Sequence, residues 1–285
     1  MQGGKERKMK QLKAAWTGFN VPDEDPFVSF EKRAKLGYKA MDGDLSRLPG
    51  DPEENLKRFR DLGLKNLCTS IGGTNAEIAK SPEKLDEMKR RAEFYDVKYV
   101  NIGWTSAINS FGTYYGDVCS YDDMMRDLEN LDAITKAVAD AGFIPLYHNH
   151  YQEFTGNFKG VPIIDYYLTQ VDPRLMLKVD LGWVFVGGYD PVEYMDRAKD
   201  RIGLLHLKDF TDMMLGRYLV NADKIHDFGF TSLGTSKLDL PAICKKALEI
   251  GQEYVIVEQD RERVLKFEDA IVCAYYNLKE TGYVE

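Results

Sequence analysis

Three of the four histidines in the chain, His148, His150 and His206, stand at the ends of short apolar runs, and acids end two further runs. The runs read Ile144-Pro145-Leu146-Tyr147-His148-Asn149-His150, Lys178-Val179-Asp180, Leu204-Leu205-His206-Leu207-Lys208-Asp209 and Val255-Ile256-Val257-Glu258. In a strand, alternate side chains share a face, so Leu146, His148 and His150 point one way, as do His206 and Lys208. Imidazoles and carboxylates from neighbouring strands form a ligand set for one divalent ion, Mn²⁺ foremost, with Zn²⁺, Co²⁺ or Fe²⁺ as alternatives. Open coordination positions on such an ion would take a substrate carbonyl and hydroxyl. The metal ligands expected on this reading are His148, Asp180, His206 and Glu258.

Each residue also has a plainer role. A strand-end Asp such as Asp180 caps helices, and His148 and His150 could be hydrogen-bonded structural residues. Lys178 and Lys208, pointing into a barrel, would need carboxylate partners. Trp104 and Trp183 adjoin strand ends and are expected to bind substrate as platforms for a sugar ring, with core packing as the alternative. His226 lies in a long connection and reads as a surface or lid residue.

Positioning these groups requires strands whose ends converge. Eight β-rich runs alternate with helical patterns: Leu12 to Gly18, Tyr38 to Asp42, Leu64 to Thr69, Tyr99 to Trp104, Ile144 to His150, Leu175 to Asp180, Gly203 to Lys208 and Tyr254 to Glu258. The helices between them are expected over Phe27 to Leu36, Pro52 to Leu62, Pro82 to Tyr95, Tyr121 to Ala141, Val161 to Val171, Pro191 to Ala198, Leu240 to Ile250 and Phe267 to Leu278. Several end in Leu-Gly, Ala-Gly or Ile-Gly before the next strand, where glycine closes a helix in the left-handed conformation. Eight βα units predict a (β/α)8 TIM barrel, a fold that gathers catalytic groups at the C-terminal ends of its strands. A doubly wound open sheet is the competitor, and no Gly-rich dinucleotide turn follows the first strand to support it. The barrel domain is expected over residues 11–285, after a tail at 1–10 that could be disordered. The connection from Phe210 to Asp239 is long enough to form a lid or rim.

Composition narrows the partners. The 285 residues are 44% hydrophobic and 29% charged, with a formal net charge of −8. That charge argues against nucleic acid, which is bound through clustered Lys and Arg. Four scattered cysteines, Cys68, Cys119, Cys244 and Cys273, form no CxxC pair and read as buried thiols of a reduced compartment. No signal peptide and no apolar run of membrane-spanning length occurs, so a cytoplasmic location without membrane contact is expected. The oligomeric state stays open, a homo-oligomer included.

The motifs His148-Asn149-His150-Tyr151-Gln152-Glu153-Phe154, Val179-Asp180-Leu181-Gly182-Trp183, His206-Leu207-Lys208-Asp209 and Glu258-Gln259-Asp260 resemble, in this order, the sugar phosphate isomerase/epimerase superfamily of xylose isomerase-like TIM barrels. The resemblance runs from about Phe27 to the last helix. It implies one divalent ion held by a Glu, an Asp, a His and a second Glu, and Asp180, His206 and Glu258 match the last three. At the first position the chain has His148, a variant resembling inosose-dehydratase-like members. Either His148 replaces that ligand or Glu153 reaches back to restore a carboxylate.

The chemistry implied is removal of a proton beside a carbonyl while an ion stabilises the enediolate. Glu153, His150 and Glu258 are candidate bases, and Lys208 or His150 could polarise an oxygen or return the proton. The first expectation is an isomerase or epimerase of a small sugar or keto-sugar. A dehydratase or β-eliminase of a keto-polyol or keto-glycoside is the alternative. With no Gly-rich phosphate loop, the substrate is expected to be unphosphorylated. A DNA-repair endonuclease on the same barrel ranks last, since its several zinc ions need more histidines than four. A barrel that only binds a ligand is a further class, recognisable by metal removal leaving stability and binding unchanged.

Overall fold

The computed structural model describes residues 10–18, 25–102, 120–210, 229–260 and 264–285. Residues 1–9 of the expected tail, Trp104, Cys119, His226 and most of the expected lid lie outside them.

The barrel strands are Lys13–Thr17, Ala40–Asp42, a third strand in two segments (Lys65–Asn66 and Cys68–Ser70), Tyr99–Asn101, Ile144–His148, Met176–Asp180, Ile202–Leu207 and Tyr254–Val257. We refer to them as the first to eighth barrel strands. Every pairing between them is parallel, and the order around the sheet runs second, first, eighth, seventh, sixth, fifth, fourth. The third strand joins the two ends: Lys65–Asn66 pairs with the second strand and Cys68–Ser70 with the fourth. Leu67 links the segments and donates its N–H to Met41 O at 2.9 Å, so the sheet closes almost completely into a barrel.

Local sequence explains the helices packed outside. Pro26, Pro52, Pro82 and Pro191 open helices at Pro26–Leu36, Pro52–Asp61, Pro82–Phe94 and Pro191–Ala198, where proline's fixed φ suits the first turn and its missing N–H costs nothing. Asp25, Asp51, Ser81 and Asp190 cap these helices by accepting backbone N–H groups. Ser120 and Asp123 form a reciprocal capping box on the long helix Tyr121–Asp140. After three of the expected helix ends, Gly63, Gly142 and Gly251 take φ of +73°, +91° and +83°, the left-handed turn their sequence context predicts. Helices Leu240–Glu249 and Phe267–Glu280 complete the ring.

Two of the expected boundaries move for a visible reason. The fifth strand stops at His148 because the next side chain takes over the pairing. Asn149 Oδ1 accepts the Asp180 N–H at 3.0 Å, and Asn149 Nδ2 donates to Asp180 O at 3.3 Å. The helix expected from Val161 begins at Ile163, because Val161–Pro162 instead pairs antiparallel with Asn157–Phe158. Lys159 and Gly160, both at positive φ (53° and 80°), form the two-residue turn of that hairpin. A second small antiparallel pair, Asp209–Phe210 with Phe230–Thr231, brackets the long connection.

Apolar packing lies on both sides of the barrel wall. The larger cluster fills the layer between strands and helices, with Phe30, Phe59, Leu131, Tyr167 and Leu278 almost fully buried. A smaller one fills the lumen: Ala15, Ala40, Leu67, Leu146, Leu204, Tyr254 and Ile256. No helix among the described residues is long and apolar enough to cross a membrane.

Candidate metal centre

Above the luminal cluster, strand ends deliver ionisable groups in place of apolar ones. His148 ends the fifth strand, Asp180 the sixth, His206 is the penultimate residue of the seventh, and Glu258 follows the eighth. One ligand atom from each of the four lies within 4.8 Å of all the others, an arrangement able to hold a metal ion. Glu258 is fixed there by its own N–H, which donates to Leu207 O at 2.9 Å and extends the strand pairing by one residue.

Asp180 divides its two oxygens between two tasks. Oδ1 accepts the Trp183 N–H at 3.1 Å, capping the short helix Leu181–Val186, while Oδ2 turns into the site. There Oδ2 accepts no hydrogen bond, although Lys208 Nζ is 3.1 Å away and His148 Nε2 4.0 Å. One carboxyl thus caps a helix with one oxygen and turns the other to the group of four. Burial and the neighbouring Glu258 outweigh Lys208 and push Asp180 up to about 8. His148 is held neutral by burial, and its Nδ1 has no hydrogen-bond partner.

Two lysines and four carboxylates knit the rim together. Lys208 Nζ reaches Asp260 at 2.7 Å, Asp180 at 3.1 Å and Glu258 at 3.2 Å, and lies 5.0 Å from the Trp183 ring centroid. Gly182 makes that placement possible, since a Cβ there would sit 2.5 Å from Lys208 O. Lys178 Nζ contacts Asp42 Oδ2 at 2.9 Å. Four carboxyl groups thus share two ammonium groups in a largely buried setting. Two imidazoles and two carboxyl groups converging from four strand ends, with Asp180 Oδ2 turned inward and His148 neutral, fit a resident metal ion.

His206 stands between two acids. Its Nδ1 is 2.7 Å from Glu258 Oε2, and its Nε2 contacts Asp42 Oδ2. Burial alone would lower its pKa, but Glu258 and Asp42 raise it to about 9. Glu258 is held well below the carboxylate range, because Lys208 and His206 outweigh its burial. Asp42 behaves likewise, with Lys178 and His206 overcoming burial.

Asp42 is the residue the sequence reading missed. Its strand is only three residues long, Ala40-Met41-Asp42, too short to show alternation. An acid closing a barrel strand, as Asp180 does, was the available signal.

The remaining expected site residues separate. The His150 ring centroid lies 4.8 Å from that of His148 and 5.7 Å from that of Trp183, at the edge of the site. Burial and Lys208 lower His150 to about 3, leaving a neutral imidazole. Trp183 is only 3% exposed and packs with Tyr151, Phe210 and Phe230 in an aromatic cluster beside Lys208. Glu153 does not join the ligand group: Oε1 accepts from the Tyr147 hydroxyl at 2.7 Å and Oε2 from the His150 N–H at 2.9 Å. Tyr147 alternates with the inward Leu146 and His148, and it packs outward on Tyr167. The Glu153 carboxyl is consequently drawn towards the helix layer, where burial lifts it to about 7.

Comparison with known proteins agrees with this architecture. An inosose dehydratase of Geobacillus kaustophilus is 25% identical, over 87% of this chain and 85% of that protein. A crystal structure of a sugar phosphate isomerase/epimerase from Parabacteroides distasonis superposes with a TM-score of 0.69 at 21% identity, covering 98% of this chain and 97% of that one. The IolI protein, solved with a bound zinc atom, superposes with a TM-score of 0.65 at 16% identity, covering 95% and 96%. The model of the xylose isomerase-like TIM barrel family matches residues 30–273. With a nearly closed parallel barrel, ionisable strand ends and a match over most of its length, this chain belongs to the xylose isomerase-like TIM barrel family.

Proposed function

We propose that this protein is a metal-dependent enzyme that removes a proton beside the carbonyl of a small, unphosphorylated polyhydroxy ketone or sugar. The observation that carries the reading is the convergence of His148, Asp180, His206 and Glu258 next to the Lys208 ammonium. A divalent ion held by those four residues would supply electrophilic pull on a substrate carbonyl and hydroxyl and offset the negative charge that develops there.

The protein's own groups account for the rest. His150, whose ring lies 4.8 Å from that of His148, is our candidate proton acceptor by position. Lys208, kept cationic by Asp180, Asp260 and Glu258 despite burial, is suited to hydrogen-bond a substrate oxygen and steady charge on it. Trp183 supplies an apolar wall beside both. Glu153 serves by holding the His150 backbone rather than as the base. The unphosphorylated substrate is supported by the mouth lysines Lys178 and Lys208, both already engaged by carboxylates.

Once the proton is removed, the outcome depends on where the next one is placed. Loss of a β-hydroxyl, a dehydratase reaction, is favoured by the inosose dehydratase relative and by His148 at the first ligand position. Reprotonation at another carbon or face, an isomerase or epimerase reaction, is the second reading, favoured by the isomerase/epimerase structural neighbour. Incubation of the metal-loaded protein with keto-sugars and keto-polyols in D₂O tests both. A product lighter by one water supports the dehydratase, and deuterium at the α-carbon without mass loss supports the isomerase or epimerase. Neither change with any substrate of this class, at full metal loading, contradicts the proposal.

A further inference from the structure

We infer that Asp42 is a positioning residue of the metal centre: it keeps the ring hydrogen of His206 on Nε2 and thereby reserves Nδ1 as the ligating nitrogen. The inference rests on the metal-site reading given above.

Asp42 ends the second barrel strand with 2% exposure. The second and seventh strands are not neighbours in the sheet, so its contact with His206 crosses the lumen instead of following the strand pairing. Three groups meet its carboxylate. Cys68 Sγ donates to Oδ1, Lys178 Nζ donates to Oδ2 at 2.9 Å, and His206 Nε2 faces the same Oδ2. A carboxylate paired with an ammonium and a thiol has acceptors to offer and no hydrogen to give, so the nitrogen facing it must carry one. Nδ1 faces the Glu258 carboxylate in the same way, so without metal both nitrogens carry a hydrogen, and an ion binds only by displacing one of them. Glu258 belongs to the ligand group and would turn to the ion, whereas Asp42 stays tied to Lys178 and Cys68, so the hydrogen given up is the one on Nδ1, the atom 2.7 Å from Glu258 Oε2. A carboxylate behind a histidine ligand fixes the tautomer, locks the ring and raises its basicity. Lys178, from the sixth strand, holds Asp42 in register with the ring.

If Asp42 served only to neutralise Lys178, removing it would cost stability and leave metal binding alone. Two measurements on the full chain, stripped of metal and reloaded, separate the roles. In ¹⁵N-histidine-labelled protein loaded with ¹¹³Cd²⁺, the cadmium coupling should appear on His206 Nδ1, with a protected hydrogen on Nε2. Calorimetric titration with Zn²⁺ should show Asp42→Ala binding about 10- to 100-fold more weakly than wild type. Asp42→Asn, which can still accept through its amide oxygen, should lose less. Lys178→Met, which leaves the Asp42 carboxylate in place, should keep Nδ1 coordination. Coordination through Nε2 in the wild type, or a folded Asp42→Ala that binds Zn²⁺ as tightly as wild type, overturns the inference while leaving the metal centre standing. Failure of the wild type to take up stoichiometric Zn²⁺ overturns the metal-site reading and this inference with it. Should Asp42→Ala fail to fold, the wild-type coupling pattern decides alone.

Discussion

Two levels of the same barrel interior, one step apart on each strand, have opposite chemistry. In the lower level stand Ala40, Leu146, Leu204 and Ile256, packed as an apolar plug. Two residues further along the same four strands stand Asp42, His148, His206 and Glu258, all ionisable. Residues at i and i+2 share a face, so a single set of strand directions aims both levels into the lumen. The lower level stabilises the fold by burial. The upper level has no such gain and is held by charge pairing, with Lys178 and Lys208 set among acids. A buried ionic cluster seldom adds net stability, so its retention at the strand ends points to chemistry.

Truncation in the lower level should produce the largest stability change and no functional one. Leu204 is 3% exposed within the luminal plug, and Leu204→Ala is expected to cost about 2–5 kcal/mol in urea unfolding. Metal uptake per folded chain should be unchanged. A loss of metal binding in the folded variant would mean that the two levels are coupled and the contrast between them is false.

A smaller effect is expected beside the upper level, at Glu153. Burial raises this carboxyl from its ordinary 4.5 to about 7, so the folded protein keeps a proton that the unfolded chain releases. The unfolded state therefore binds fewer protons between these values, and stability falls as pH rises across that window. The contribution is about 3 kcal/mol at most. Glu153→Gln should flatten the fall between pH 4.5 and pH 8 relative to wild type, as read from unfolding curves at each pH. Parallel profiles would show that Glu153 is already ionised in the fold.

The contrast between levels also explains what the sequence made legible. Long runs such as Ile144 to His148 and Ile202 to Leu207 carry enough alternation to show which side chains turn inward, and their terminal histidines stand out in a chain with four. Glycine and proline marked the helix ends because their backbone restrictions act locally. Asp42 was hidden because a three-residue strand has no readable period, and its partners His206 and Lys178 lie far away in sequence. Glu153 stood close enough in sequence to suggest a ligand. Its orientation is decided by the Tyr147 hydroxyl on the opposite face of the strand, a tertiary contact that spacing does not encode. The end of the fifth strand depends likewise on a side chain, Asn149, standing in for backbone pairing.

The central claim is that the upper level is a single divalent-metal centre, and metal stoichiometry measured on folded wild type and on Asp180→Ala tests it most directly. Asp180 supplies a fully buried oxygen that lies within 4.8 Å of the other three ligand atoms. Protein purified without chelators, or stripped and reloaded with Mn²⁺ or Zn²⁺, should carry one ion per wild-type chain and far less in a folded Asp180→Ala. The same uptake by both proteins, or no stoichiometric ion in the wild type, would contradict the account.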